Sequence, residues 1–259
     1  MTAPTDWTTL GRALSVRANR APFWVWYVVF FGGLTIAHDL GWMTLSTTVW
    51  FGALIPSAIA HEVSHGVVAL AFGDTTAKRA GRLTANPLPH ISLGATVILP
   101  IVCALTFGVP FGAAKPVPVN VSNLRNTRNA SVYVALAGPA TNLVILGLLY
   151  GASILAGVHA LVPSIASFET QPTWMLVLFE AGFLNLLLAL FNLLPIPPLD
   201  GSAVIERILP DRAMPRYFQI RQIAFPLVIV VVLLGRNLLA WPELHLFRWW
   251  SAAFYGTGA

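Results

Sequence analysis

The run from residue 45 to residue 72 most limits how this chain can fold. It is apolar almost throughout and, as a helix rising 1.5 Å per residue, long enough to cross a hydrocarbon layer of about 30 Å. Yet it contains His61-Glu62-Val63-Ser64-His65. A carboxylate near the middle of a membrane helix costs about 2.5–3.5 kcal/mol on insertion scales, so it is kept where it has a partner or a task. On a helix the two histidines, at i and i+4, share one face. Both rings then reach one zinc ion, and Glu62 stands where it can work on a zinc-bound water. Two helix histidines satisfied by their neighbours would give the same five letters; the apolar surroundings favour the metal.

Composition extends this reading. Of 259 residues, 56% are hydrophobic and 10% charged, and the mean hydropathy is +0.73. A soluble domain carries about 25% charged residues. The chain therefore reads as an all-α polytopic membrane protein with about five to six transmembrane helices. Spans are expected over residues 22–40, 44–72, 130–161, 174–194 and 223–239, with 241–259 along an interface. Residues 1–21 read as a cytoplasmic tail holding Arg12, Arg17 and Arg20, and not as a cleavable signal peptide. Residues 74–128 read as a cytoplasmic or re-entrant loop region with a short β-strand pair around 77–84. The whole, 1–259, reads as one integral membrane domain with its core at 45–220. The net charge of +5 is taken as a topology signal, and no nucleic-acid partner is expected. The single cysteine, Cys103, excludes an intrachain disulfide and a cysteine-rich zinc cluster.

A zinc hydrolase needs three protein ligands and an open position for water. His61 and His65 supply two, and Asp200 is the best candidate for the third. It follows Pro195-Ile196-Pro197-Pro198-Leu199, which cannot continue a helix. Irregular backbone at membrane depth persists only where it lines a protein-covered or watery cavity. Glu62 is the expected general base, taking a proton from the zinc-bound water and passing it to the leaving amine. Asn142 is the polar candidate for holding substrate backbone or an oxyanion, with a helix–helix hydrogen bond as the equal alternative. Asn185 and Asn192, seven apart, read first as interhelical glue and second as cavity lining. Glu180 reads as paired or interfacial, His38 and Asp39 as interface residues, and His90, His159 and His245 as non-ligands.

His61-Glu62-x-x-His65, Gly138-Pro139-x-x-Asn142 and Asn192-Leu193-Leu194-Pro195 through Leu199-Asp200-Gly201 resemble the site-2 protease family of intramembrane zinc metalloproteases. The likeness covers most of residues 45–220. Ala114 to Asn120 and Asn86 to His90 resemble a compact bacterial and archaeal branch, although Ser92-Leu93 stands where that branch often has Asp-Pro. The resemblance implies one zinc held by His61, His65 and Asp200, a base at Glu62, and cleavage of a membrane-embedded helix. The expected partners are a transmembrane-helix protein substrate and membrane lipid, in a prokaryotic cell membrane with the N-terminus cytoplasmic. No stretch is long enough for the PDZ or nucleotide-sensing domains of some members. Two other classes fit the ligands: a zinc transporter, which gains nothing from Glu62 as a base, and an inactive helix-binding scaffold.

Parity adds one expectation. With a cytoplasmic N-terminus, His65 lies in the inner half of an inward-running helix. Asp200 meets it only if residues 93–111 enter the membrane or lie on it without crossing; an extra crossing would separate the ligands by more than half a bilayer.

Overall fold

The computed structural model describes residues 22–92, 94, 96, 114–161, 171–234 and 236–256. Helix α1 is Phe23–Asp39 and α2 is Leu45–Ala71, opened by Thr44, whose side chain accepts from the Thr47 amide. A single turn, α3, spans Thr76–Arg79. Helix α4 is Thr127–Leu155 and short α5 is Val158–Leu161. Helix α6 is Thr173–Leu193, α7 is Ser202–Ile208, α8 is Met214–Leu234 and α9 is Arg236–Tyr255. Among the described residues, α2, α4 and α6 are long and apolar enough to cross a membrane.

Side-chain pairings fix the directions of these three. Ser46 Oγ donates to Glu180 Oε1 and Asn185 Nδ2 donates to Ser57 Oγ, so numbering rises together along α2 and α6. His65 Nδ1–H donates to the Val134 carbonyl and His61 Nδ1–H to Asn142 Oδ1, so α4 runs against both. The Arg125 amide donates to the Phe72 carbonyl at 2.8 Å, joining the end of α2 to the approach to α4. Residues 93–111, expected to dip or lie flat, fall outside the described residues except for 94 and 96, and the expected tail 1–21 falls outside them altogether. The flanks of that segment meet: the Lys115 amide donates to the His90 carbonyl at 2.8 Å.

The strand pair around 77–84 does not form, and the described residues are helical or irregular. Asp74 is the cause. Its Oδ1 accepts from both the Thr76 amide and the Thr76 hydroxyl, an Asx-type turn that starts a helical turn in place of extended chain. The C-terminal stretch, expected along an interface, packs one face onto the bundle. Trp250 and Phe254 of α9 pack with Met175, Phe179, Phe183 and Leu186 of α6 and Val158 of α5. Trp250 Nε1–H donates to the Phe179 carbonyl at 3.0 Å, so the indole buries its ring without leaving its donor unpaired.

Candidate metal centre

The break after α6 places the acid. The Gly201 amide donates to the Asn192 carbonyl at 2.7 Å, closing the chain back onto the end of α6. A Cβ at Gly201 would collide with the Leu193 carbonyl and stand 2.6 Å from the Leu194 oxygen, so only glycine permits this return. Asp200 is thereby carried to α2. Its Oδ2 lies 3.0 Å from His61 Nε2 and 3.5 Å from His65 Nε2. A tetrahedral ion with bonds of about 2.0–2.1 Å sets its ligand atoms about 3.3 Å apart. The two Asp200 separations straddle that value.

The tautomers suit a metal as well. His65 Nδ1–H donates to the Val134 carbonyl at 2.7 Å and His61 Nδ1–H to Asn142 Oδ1 at 2.6 Å. With Nδ1 engaged in this way, each ring presents its Nε2 to Asp200. Both imidazoles are buried. The wall opposite them is Gly138 of α4, where a Cβ would collide with His61 Nε2 and stand 2.5 Å from His65 Nε2. Two imidazoles and one carboxylate, with space kept open by a glycine, fit zinc and its preference for nitrogen and oxygen donors. Among the described residues this is the one group of three metal-capable side chains.

Glu62 shares the helix with both histidines, and its Oε2 accepts from the Val117 amide at 2.8 Å. Val117 belongs to an irregular stretch, residues 114–120, tied down at both ends. Arg82 donates to the Lys115 and Pro116 carbonyls. The Asn120 amide donates to Asp74 Oδ2 at 2.7 Å. Burial pushes the Asp74 carboxyl up, but donors from Thr76, Asn123 and Asn120 outweigh it and hold the group down at about 2.

Asn142 has both ends of its amide engaged within the helix bundle. Its Oδ1 faces His61, and its Nδ2 donates to Asn185 Oδ1 at 2.8 Å. Asn185 does bridge helices, whereas Asn192 donates only within its own helix, to the Leu188 carbonyl. Glu180 is buried and accepts from Ser46. His90 is buried away from the acid and the two histidines, with Nε2–H donating to the Thr84 carbonyl. Burial lowers its imidazole, the Thr84 carbonyl opposes this, and the Arg82 charge adds to the lowering.

Gly138 stands in the sequence motif with no evident task, and Val117 lies outside the motifs that hold the candidate site residues. The glycine was legible in principle, beside a proline in the middle of an apolar helix. A backbone amide such as Val117 leaves no residue-type signal.

This arrangement, a helical His-Glu-x-x-His joined by a carboxylate from the broken end of another apolar helix, is that of a membrane zinc peptidase. Comparison with known proteins agrees. Residues 155–235 match Peptidase family M50. The chain is 39% identical over 198 residues to "Putative zinc metalloprotease YwhC" of Bacillus subtilis, covering 75% of this chain and 85% of that one. It is 35% identical to the similarly described Rip2 of Mycolicibacterium smegmatis, over 70% of this chain and 64% of that one. It is 29% identical to MJ0611 of Methanocaldococcus jannaschii, again described as a zinc metalloprotease, over 67% of this chain and 78% of that one. No solved structure matches. The chain belongs to the M50, or site-2 protease, family. It is a zinc metalloendopeptidase and a membrane protein.

Proposed function

We propose that the chain cleaves membrane proteins at peptide bonds within or near their transmembrane segments. The observation that carries this is the depth of the site. His61 and His65 lie in the interior of α2, one of three helices of membrane-spanning length, packed against α4 and α6 of the same kind. A substrate bond must come to that depth.

Zinc, when bound by His61, His65 and Asp200, supplies a Lewis acid and lowers the pKa of water toward about 7. The remaining chemistry belongs to the chain. Glu62 takes the proton from the attacking water and hands it to the leaving amine. One carboxylate oxygen is held by the Val117 amide, so the other serves the proton. Asn142 is assigned to the support of His61, since both ends of its amide are engaged.

The preferred topology has a cytoplasmic N-terminus in a prokaryotic cell membrane, with residues 93–111 making no net crossing. Two findings support it. The flanks of the segment, His90 and Lys115, bond to each other, whereas one crossing would part them by about 30 Å. Lys78, Arg79, Lys115, Arg125 and Arg128 lie between the end of α2 and the first turn of α4, and Arg207, Arg212, Arg216 and Arg221 follow α6. All gather at one end of the bundle, which the positive-inside rule assigns to the cytoplasm.

The test compares membrane-protein fragments in cells carrying the active chain with those carrying Glu62→Gln. Fragments whose new ends map inside hydrophobic segments, present only with the active chain, are expected. New ends confined to extramembrane loops would overturn the intramembrane reading.

A further inference from the structure

A carboxamide side chain fits a site either way round, with its oxygen or its NH2 toward a given neighbour. For Asn142 the two settings are not equivalent. With Oδ1 toward His61, the ring must carry its proton on Nδ1 and keeps the Nε2 lone pair free. With Nδ2 toward His61, Nδ1 becomes the acceptor, and the proton moves to Nε2, where it blocks the metal. Asn142 is completely buried, so no bulk water arbitrates.

A chain of hydrogen bonds makes the choice. Asn185, also completely buried, donates through Nδ2 to Ser57 Oγ at 3.0 Å and to the Ala181 carbonyl at 2.8 Å. A backbone carbonyl only accepts, so it fixes Nδ2 on that side and turns Asn185 Oδ1 toward Asn142. That oxygen accepts from Asn142 Nδ2 at 2.8 Å, leaving Asn142 Oδ1 to accept from His61 Nδ1–H at 2.6 Å. Ser57 can donate or accept and therefore follows the polarity set by Ala181. His65 needs no such relay, because its Nδ1–H meets the Val134 carbonyl directly.

We infer that Asn185 is a positioning residue for His61. Anchored on the Ala181 carbonyl, it sets the Asn142 amide and through it the imidazole nitrogen offered to the metal. The inference rests on the zinc site proposed above and adds a residue of α6 whose side chain hydrogen-bonds to Asn142, Ser57 and Ala181 and to none of the three metal ligands. Groups that orient metal ligands typically govern affinity by 10–100-fold.

The full chain, purified in detergent, is titrated with zinc against a competing chelator, and the visible spectrum of its cobalt-loaded form is recorded. Asn185→Leu, similar in size and without polar atoms, is expected to weaken zinc by roughly 10–100-fold and to alter the cobalt bands. Adding Asn142→Asp to Asn185→Leu is expected to restore most of the affinity, because a carboxylate accepts from His61 either way round. Ser57→Ala is expected to leave affinity unchanged, since the Ala181 carbonyl still sets Asn185. Wild-type affinity and cobalt bands in Asn185→Leu would overturn the inference. So would a loss that Asn142→Asp does not repair, which would mark Asn185 as a helix fastener only, or a large loss in Ser57→Ala. If Asn185→Leu does not fold, ring-nitrogen NMR of the zinc-free wild type decides: a proton on His61 Nδ1 supports the relay, and an unprotonated Nδ1 overturns it. A wild type that binds no zinc would bring down the metal site itself, and this inference with it.

Discussion

The Val117 amide donates to Glu62 Oε2 at 2.8 Å, so the stretch 114–120 touches the side chain assigned to move the proton. Gly66 lets that stretch approach: a Cβ there would stand 2.5 Å from Leu83 Cδ2 and 2.9 Å from Val117 Cγ1. Gly66→Ala should therefore push Val117 off Glu62 while leaving the two histidines in place. A hydrogen bond to a charged group contributes about 1.5–3 kcal/mol, so kcat should fall roughly ten- to hundredfold with zinc retained. Single-turnover cleavage beside metal analysis checks this; a variant with unchanged kcat would remove Val117 from the account.

Gly138 bears on the metal and not on the base. In Gly138→Ala the new methyl would occupy the space between His61 Nε2 and His65 Nε2. The purified variant should hold little zinc and show no cleavage, even though alanine suits a helix better than glycine. Full zinc content by atomic emission would show that the histidines can move aside.

Asp74 gives a pH dependence outside the spanning helices. Its carboxyl sits at about 2, below the ordinary 3.8, because Thr76, Asn123 and Asn120 donate to the charged form. A depressed carboxylate stabilises the fold fully above its unfolded value and stops doing so as pH falls through the folded one. Wild-type protein should therefore melt higher than Asp74→Asn above about pH 4, with the gap closing toward pH 2. Thermal melts of both proteins across that range check it; a gap that persists at pH 2 would separate Asp74 from the effect.

His61, His65 and Asp200, which the structure brings together, are legible in the sequence for physical reasons. His61 and His65 lie on one helix, where spacing alone implies a shared face. Asp200 stood out because prolines and a carboxylate at membrane depth are costly without a purpose. The spans came within a few residues of α1, α2 and α6, since long apolar runs leave little choice. The expected helix over 130–161 divides at the turn Ala156-Gly157 into α4 and α5.

Other features depend on partners that residue type alone does not name. Trp249 and Trp250 suit an interface or a core equally well by type, and the packing of Trp250 on α6 exists only in the fold. The tract 77–84 contains strand-compatible residues, but Asp74, outside it, turns the chain into a helix. Asn142 gave no sign of its partner, because the chain from Ala181 through Asn185 exists only once α2, α4 and α6 are packed.

One measurement bears most directly on the central claim: zinc content and cleavage of a transmembrane-helix substrate, assayed together on wild type, Glu62→Gln and Asp200→Ala. The wild type should hold roughly one zinc per chain and cleave. Glu62→Gln should keep its zinc and lose cleavage, and Asp200→Ala should lose both. An Asp200→Ala protein with full zinc and full activity, or a Glu62→Gln protein that cleaves at the wild-type rate, would contradict the account.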